Sequence, residues 1–159
     1  MTEIDYTLLD DPQISMMMFY PRMEFTMTPT GAEDHAVEVE RGVTIGCRTH
    51  FAAHDAPTIL FFHGNGEIVS DYDYFAPFYM RHGINLIVAD YRGYGSSLGQ
   101  PSFSSMMGDA KLIYEYFTQH LQNHGYTGPL YVMGRSLGAL SAMEVTATYQ
   151  HAAGPFSVK

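Results

Sequence analysis

The stretch that decides the fold is YVMGRSLGAL, residues 131–140. It places Ser136 in the pattern G-x-S-x-G, with an apolar run before it and helix-forming residues after it. The pattern is typical of a sharp strand-to-helix turn that holds a serine nucleophile above the edge of a sheet. Because the residues two positions away must be small, Gly134 and Gly138 are expected to allow that turn. A strand–turn–helix without a catalytic role fits this short pattern equally well.

Three short, continuous apolar runs are typical of strands buried on both faces of a parallel sheet. They are TILFF at 58–62, INLIVAD at 84–90 and PLYVMG at 129–134. Helical periodicity lies between them, at 70–82 and 104–124, and a further helix is predicted after Ser136. Pro77 is expected to kink or break the first of these helices. The alternation of strands and helices predicts an α/β fold with a mostly parallel sheet.

The segment upstream of the apolar runs has a different pattern. In HAVEVERGVTIGC, apolar residues alternate on either side of Arg41–Gly42, which predicts an antiparallel hairpin. Residues 1–34 contain four turn-forming Pro and Gly residues and are interpreted as an irregular lead-in, with one domain over 35–159. The run Met16–Met18 is interpreted as flexible core filler.

Composition excludes several classes of function. The formal charge of −9 argues against nucleic acid or an anionic membrane surface as a partner. No stretch reaches the roughly 20 apolar residues of a membrane-spanning helix, and the acidic N-terminus, MTEIDYTLLDDPQ, does not resemble a secretory signal. The lone Cys47 cannot form an internal disulfide. We therefore expect a cytoplasmic protein.

A second motif, HGNGE, follows the first buried strand. A second backbone donor for an oxyanion is expected at this place in the chain, so the N–H groups of Asn65 and Leu137 are the predicted oxyanion hole. His63 precedes the predicted nucleophile in the sequence and is interpreted as a residue that holds the loop through hydrogen bonds. Gly64 and Gly66 are grouped with it as supporting residues.

Three stretches together carry a family resemblance. LFFHGNGE, DYRGYGSS and VMGRSLGA, in this order and spacing, resemble the α/β-hydrolase superfamily. The resemblance covers about residues 37–149 and is strongest to serine hydrolases with an HGN oxyanion loop, the serine-aminopeptidase-like and BEM46-like proteins. It implies a nucleophile at Ser136, oxyanion donors at Asn65 and Leu137, and small-molecule ester, thioester or amide substrates. The residues themselves indicate no cofactor and no metal, because HGNGE lacks the Lys–Ser/Thr pair of a phosphate-binding loop and the histidines do not form a clear ligand set.

The other members of a catalytic triad are harder to find. Such hydrolases place them after the serine, first an acid and then a histidine, and the chain offers only Glu144 and His151 there. Along a continuous helix these lie about 12 and about 22 Å from Ser136, whereas a base must come within about 3 Å. Both are interpreted as ordinary polar residues, solvated or capping.

Upstream residues offer one alternative, a rewired triad of Ser136, His63 and Asp90. Asp90 is more simply interpreted as an acceptor of backbone hydrogen bonds in the DYRGYG loop. His120 and His124 share a helix face and are interpreted as a surface pair rather than metal ligands.

The predicted fold is an incomplete α/β-hydrolase fold, a mostly parallel sheet with an N-terminal antiparallel hairpin and flanking helices. The chain is expected to be truncated soon after the nucleophile helix, with the acid and base of the triad missing. The strand before Ser136 would then be a sheet edge, which invites self-association. A catalytically inactive product or a non-enzymatic binding module is the alternative to a serine hydrolase.

Overall fold

The computed structural model describes residues 5–149, which form five strands and four α-helices. The strands are β1 (Ala32–Glu40), β2 (Val43–His50), β3 (Thr58–Phe62), β4 (Asn85–Ala89) and β5 (Leu130–Gly134). The helices are α1 (Pro12–Met18), α2 (Ala76–Arg81), α3 (Phe103–Asn123) and α4 (Gly138–Tyr149). The strands form one sheet in the order β1-β2-β4-β3-β5.

The three apolar runs form neighbouring strands at one end of the sheet. β3 pairs in parallel with β4 on one side and with β5 on the other, as predicted. Leu60 and Phe62 belong to the main core with α3 and α4, whereas Phe61 packs with Ala76 of α2 on the opposite face. Because the three strands are parallel, their carboxyl ends meet at one edge of the sheet.

The predicted hairpin is confirmed. β1 and β2 are antiparallel, and Gly42 in the turn between them has φ +77°. β2 also pairs antiparallel with β4. The hairpin is thereby joined to the parallel strands, and the sheet is mixed.

The two predicted helices differ in how closely they match the structure. α3 matches the periodicity at 104–124, and Ser102 caps it by accepting a hydrogen bond from Ser105 N. The segment 70–82 is divided into a 3₁₀ helix, Val69–Tyr72, and α2. Pro77 lies in the first turn of α2, where no backbone N–H is needed, so the break occurs before it.

The N-terminal segment corrects one expectation. The run interpreted as core filler lies on α1, where the side chains of Met16 and Met17 are 80% and 79% exposed. The segment is held instead through Phe19, which is 4% exposed and belongs to the main core. Met18, the last residue of α1, is half-buried and packs against the same core, so the expectation is wrong for Met16 and Met17 but not for Met18.

β5 is an edge strand of the sheet within the described residues, at the end opposite β1. It pairs with β3 alone, and Tyr131 is 37% exposed. No helix among residues 5–149 combines the length and apolarity needed to cross a membrane.

Candidate active site

The turn between β5 and α4 has the backbone of a strained elbow. Ser136 has φ +52°, and no other non-glycine residue in the described part of the chain has a positive φ. This left-handed conformation is unfavourable for a residue with a Cβ and is concentrated at functional sites. Ser136 is exposed at the carboxyl edge of the sheet.

The two flanking glycines lie where backbone segments touch. A Cβ on Gly134 would lie 2.1 Å from the carbonyl oxygen of Gly138. A Cβ on Gly138 would lie 2.1 Å from the carbonyl oxygen of Phe62, at the end of β3. Since backbone cannot move aside as a side chain can, only glycine fits at either position.

The start of α4 presents a backbone donor beside Ser136. Gly138 N donates to Arg135 O at 2.9 Å, but the N–H of Leu137 donates to no acceptor within the described residues. The N-terminus of a helix favours negative charge through its unpaired N–H groups and its dipole. The turn therefore has one backbone N–H group that is unpaired among the described residues.

The HGNGE loop offers a second one. It follows β3, the neighbour of β5, and the N–H of Asn65 likewise has no acceptor among residues 5–149. Gly66 has φ +77°, which turns the chain beyond it. The Asn65 side chain is engaged elsewhere, since Oδ1 accepts the Tyr94 hydroxyl at 2.6 Å and Nδ2 donates to Met18 O at 2.7 Å.

His63 and Asp90 form a buried pair below this loop. Nε2 of His63 lies 2.9 Å from Asp90 Oδ1, and Nδ1 lies 2.8 Å from Gly64 O. A neutral imidazole carries one N–H, so two acceptor contacts require a second proton, on the His63 ring or on the Asp90 carboxyl. Burial raises the pKa of Asp90, and the hydrogen bond and charge of His63 oppose that rise.

Asp90 also shapes the loop that follows β4. Its Oδ1 accepts the N–H of Val69 at 2.9 Å. Its Oδ2 has no hydrogen-bond partner among residues 5–149, and a Cβ on Gly95 would lie 2.0 Å from it. Gly95, the second glycine of the DYRGYG stretch, therefore leaves room for the Asp90 carboxylate.

These contacts exclude His63 as a base in this conformation. Both of its ring nitrogens are occupied and its side chain is fully buried, so the rewired triad with Asp90 and Ser136 is not formed. Glu144 is bonded rather than solvated, because it accepts the Tyr6 hydroxyl at 2.8 Å and lies 3.4 Å from Lys111 Nζ. His151 lies outside the described residues.

The interpretation of the helix histidines is wrong for one of the pair. The rings of His120 and His124 stack 4.1 Å apart, and His124 is exposed as expected. His120 is half-buried and packs edge-on against His35 at 4.9 Å. β1 of the hairpin covers the face of α3 that carries His120. The spacing of residues along a helix does not indicate which of its faces another element covers.

Sequence reasoning missed the residues that hold the loop in place. Tyr91 donates its hydroxyl to His63 O at 2.5 Å, and the Arg135 guanidinium forms an ion pair with Glu67. The available signal was a pair of opposite charges, one in each motif: Glu at the end of HGNGE and Arg inside GRSLG. Their pairing depends on two strands that are adjacent in the sheet and distant in the chain.

Comparison with known sequences places the chain among the hydrolases. A family model described as serine aminopeptidase, S33, matches residues 53–156. Protein bem46 of Schizosaccharomyces pombe is 33% identical over 95 residues, which are 59% of this chain and 31% of that protein. Lysophosphatidylserine lipase ABHD12 of Danio rerio is 35% identical over 85 residues, 52% of this chain and 21% of that protein.

Solved structures share the fold. ESTFA superposes with a TM-score of 0.61 and 22% identity, over 94% of this chain and 49% of that one. The esterase Pf2001 of Pyrococcus furiosus gives a TM-score of 0.60 and 23% identity, over 77% of this chain and 48% of that one. This chain thus spans about half of these structures and a third or less of the two curated relatives. Because the family model matches well over half of the chain, the chain belongs to the serine aminopeptidase S33 family of the α/β-hydrolase superfamily.

Proposed function

We propose that this chain carries the nucleophile and the oxyanion hole of a serine hydrolase. Ser136 would form an acyl-enzyme with an ester, thioester or amide, while the N–H groups of Asn65 and Leu137 bind the oxyanion. The observation that carries the proposal is the strained, exposed Ser136 between two glycines that have no room for a Cβ. Free N–H donors on two adjacent segments support it.

The chemistry follows from this placement. Ser136 Oγ bonds to the carbonyl carbon, and the carbonyl oxygen takes the negative charge that the two N–H groups stabilise. Collapse breaks the bond to the leaving oxygen, sulfur or nitrogen, which takes up a proton. Water then attacks the acyl-enzyme, which releases the acid and restores the serine. Since both ring nitrogens of His63 are engaged elsewhere, the Ser136 proton passes to another base or to the solvent.

The substrate class is narrowed by one relative. ABHD12 of Danio rerio is named a lysophosphatidylserine lipase, and lipases cleave carboxylic esters. We therefore place carboxylic esters ahead of thioesters and amides as the substrates to test first.

The experiment is covalent labelling with a fluorophosphonate, read by intact-protein mass spectrometry. We expect one adduct on the wild-type chain, none on Ser136→Ala, and unchanged labelling of the control Ser104→Ala on α3. Because no histidine base is bonded to Ser136 among residues 5–149, adding free imidazole should accelerate labelling of the wild type and of Ser104→Ala but not of Ser136→Ala. An adduct that persists in Ser136→Ala would contradict the assignment of the nucleophile.

A second candidate is a catalytically inactive product or a binding module. It is favoured by the buried, fully occupied His63, which cannot serve Ser136 as a base in this conformation. A folded wild-type chain that takes up no label, with or without imidazole, would support this alternative. Labelling that depends on Ser136 would exclude the hypothesis that the chain is a catalytically inactive product.

The exposed edge of β5 adds a proposal about partners. This strand pairs on one side only within the described residues, and its segment LYVMG carries no charge. Lysine, proline or a bulge normally protects such an edge from pairing. We infer that two copies of the chain associate through β5.

A further inference from the structure

Arg135 and Glu67 connect the two parts of the proposed oxyanion hole. Arg135 lies inside the elbow, directly before Ser136, and Glu67 ends the HGNGE loop. Arg135 Nη1 and Glu67 Oε1 form an ion pair that joins residues 68 positions apart in the chain. The pair therefore spans from the segment that carries Leu137 to the segment that carries Asn65.

The Glu67 carboxylate is a junction of several contacts. Its Oε2 accepts the N–H of Gly64 at 2.6 Å and the hydroxyl of Tyr72 at 2.9 Å, while Oε1 faces Arg135. Burial raises the pKa of Glu67, but the Gly64 and Tyr72 hydrogen bonds and the Arg135 charge outweigh it and hold this pKa below its usual value. Glu67 is therefore ionised at neutral pH, and the junction is charged.

Gly64 leaves the space in which the pair lies. A Cβ at this position would be 2.8 Å from Arg135 Nη1 and 2.8 Å from Glu67 Oε2. Gly64 is not among the glycines with positive φ, so its backbone does not by itself require glycine. The constraint is the close passage of the two charged groups over the loop.

We propose that Glu67 and Arg135 are positioning residues that hold the Asn65 N–H and the Leu137 N–H at the separation an oxyanion requires. Resting on the proposed function, this role concerns the geometry of the two donors rather than the stability of the fold. Both donors must lie about 3 Å from the same oxygen, and they belong to different loops. An ion pair as exposed as this one, with 60% of the Arg135 side chain accessible, adds little stability.

The test compares Glu67→Gln, Arg135→Gln, the double variant and the charge reversal Glu67→Arg/Arg135→Glu. The first measurement is amide hydrogen exchange at residues 67 and 138, whose N–H groups are hydrogen-bonded within the two loops, and it requires no activity. We expect faster exchange in each single variant, the same rate in the double variant, and partial recovery in the reversal. Glu40→Gln, which removes a different surface ion pair to Arg92, is the control and should leave both amides unchanged.

A fifth variant, Gly64→Ala, distinguishes the position of the two charged groups from their charge. In Gly64→Ala the new methyl group displaces both charged ends without removing either charge, so it should exchange like the single variants. The second measurement is the labelling rate of Ser136, expected to fall about tenfold in the single variants if donor alignment is lost. Additive effects of Glu67→Gln and Arg135→Gln on exchange, or no effect, would overturn the positioning role.

The two proposals fail in different ways. If the wild type takes up no label, the proposed hydrolase function fails while the exchange measurement still decides the role of the pair. If labelling depends on Ser136 but neither exchange nor labelling responds to the five variants, the positioning role fails alone.

Discussion

The side chain of Asn65 holds the backbone of Tyr20. Asn65 Oδ1 accepts the Tyr20 N–H at 2.9 Å, and Nδ2 donates to Met18 O at 2.7 Å. Nearby, Arg22 Nη1 donates to Gly66 O at 3.2 Å. The N-terminal segment is therefore fastened to the same loop whose Asn65 N–H is the proposed oxyanion donor.

The first prediction concerns this attachment. Asn65→Asp keeps an oxygen for Tyr20 but loses the donor to Met18 O, and it places a carboxylate against that carbonyl. We expect the free energy of unfolding to fall by about 1–3 kcal/mol, because a hydrogen bond is replaced by repulsion. Proteolysis within residues 15–24 should also become faster. Asn123→Asp, whose oxygen only accepts from Gln119, is the matched control and should change neither value.

The second prediction concerns the glycines of the elbow. Gly134→Ala and Gly138→Ala should each strongly lower the melting temperature, because the new Cβ meets backbone atoms at 2.1 Å. Gly108→Ala on α3 is the matched control, since a Cβ there has nothing within 4 Å. It should stabilise the protein by about 0.5–1 kcal/mol through helix propensity. Equal melting temperatures for all three variants would contradict this account of the elbow.

The third prediction concerns acid sensitivity. Burial lowers the pKa of His35 and the pKa of His120 below the ordinary 6.5. The charges of His35 and His124 lower the pKa of His120 further. The charge of Glu33 acts in the opposite direction on both histidines. As pH falls through about 6.5, the unfolded chain therefore binds protons before the folded chain does. The free energy of unfolding should be unaffected by these groups above that pH and should decrease below it.

Urea denaturation between pH 7.5 and 5.5 measures this dependence. His120→Phe retains a ring against His35 and removes one titrating group, so its stability should fall less with pH than that of the wild type. His82→Gln removes an exposed histidine elsewhere and should follow the wild-type curve. A His120→Phe curve parallel to the wild type would count against the histidine cluster as the cause.

The fourth prediction concerns the sheet edge. Tyr131→Lys places a charge on β5, where pairing with a second copy would bury it. We expect the wild-type chain to dimerise with rising concentration in analytical ultracentrifugation, and the variant to shift toward monomer. Leu112→Lys, at a similarly exposed apolar residue on α3, should still dimerise. A wild-type chain that remains a folded monomer throughout would rule out association through this edge.

Local sequence patterns were sufficient to predict the parallel strands of the sheet and the break before α2. Continuous apolar runs predict β3, β4 and β5 because a strand buried on both faces cannot alternate with polar residues. Pro77 predicts the break before α2 because its ring and missing N–H exclude it from a helix interior. The exposed Met16 and Met17 were not predictable, since apolar composition does not say which side of a short helix meets the core.

The sequence by itself determined the α/β alternation, the glycine-flanked Ser136 and the HGNGE loop, because each depends on neighbours within a few residues. Only the tertiary structure decided that His63 is fully occupied by Gly64 and Asp90, and that Glu67 meets Arg135. These pairings follow from the adjacency of β3 with β4 and β5, strands separated by one or two helical crossovers. The spacing of these residues along the chain does not indicate how far apart they lie in space, because the order of strands in the folded sheet determines which loops are neighbours.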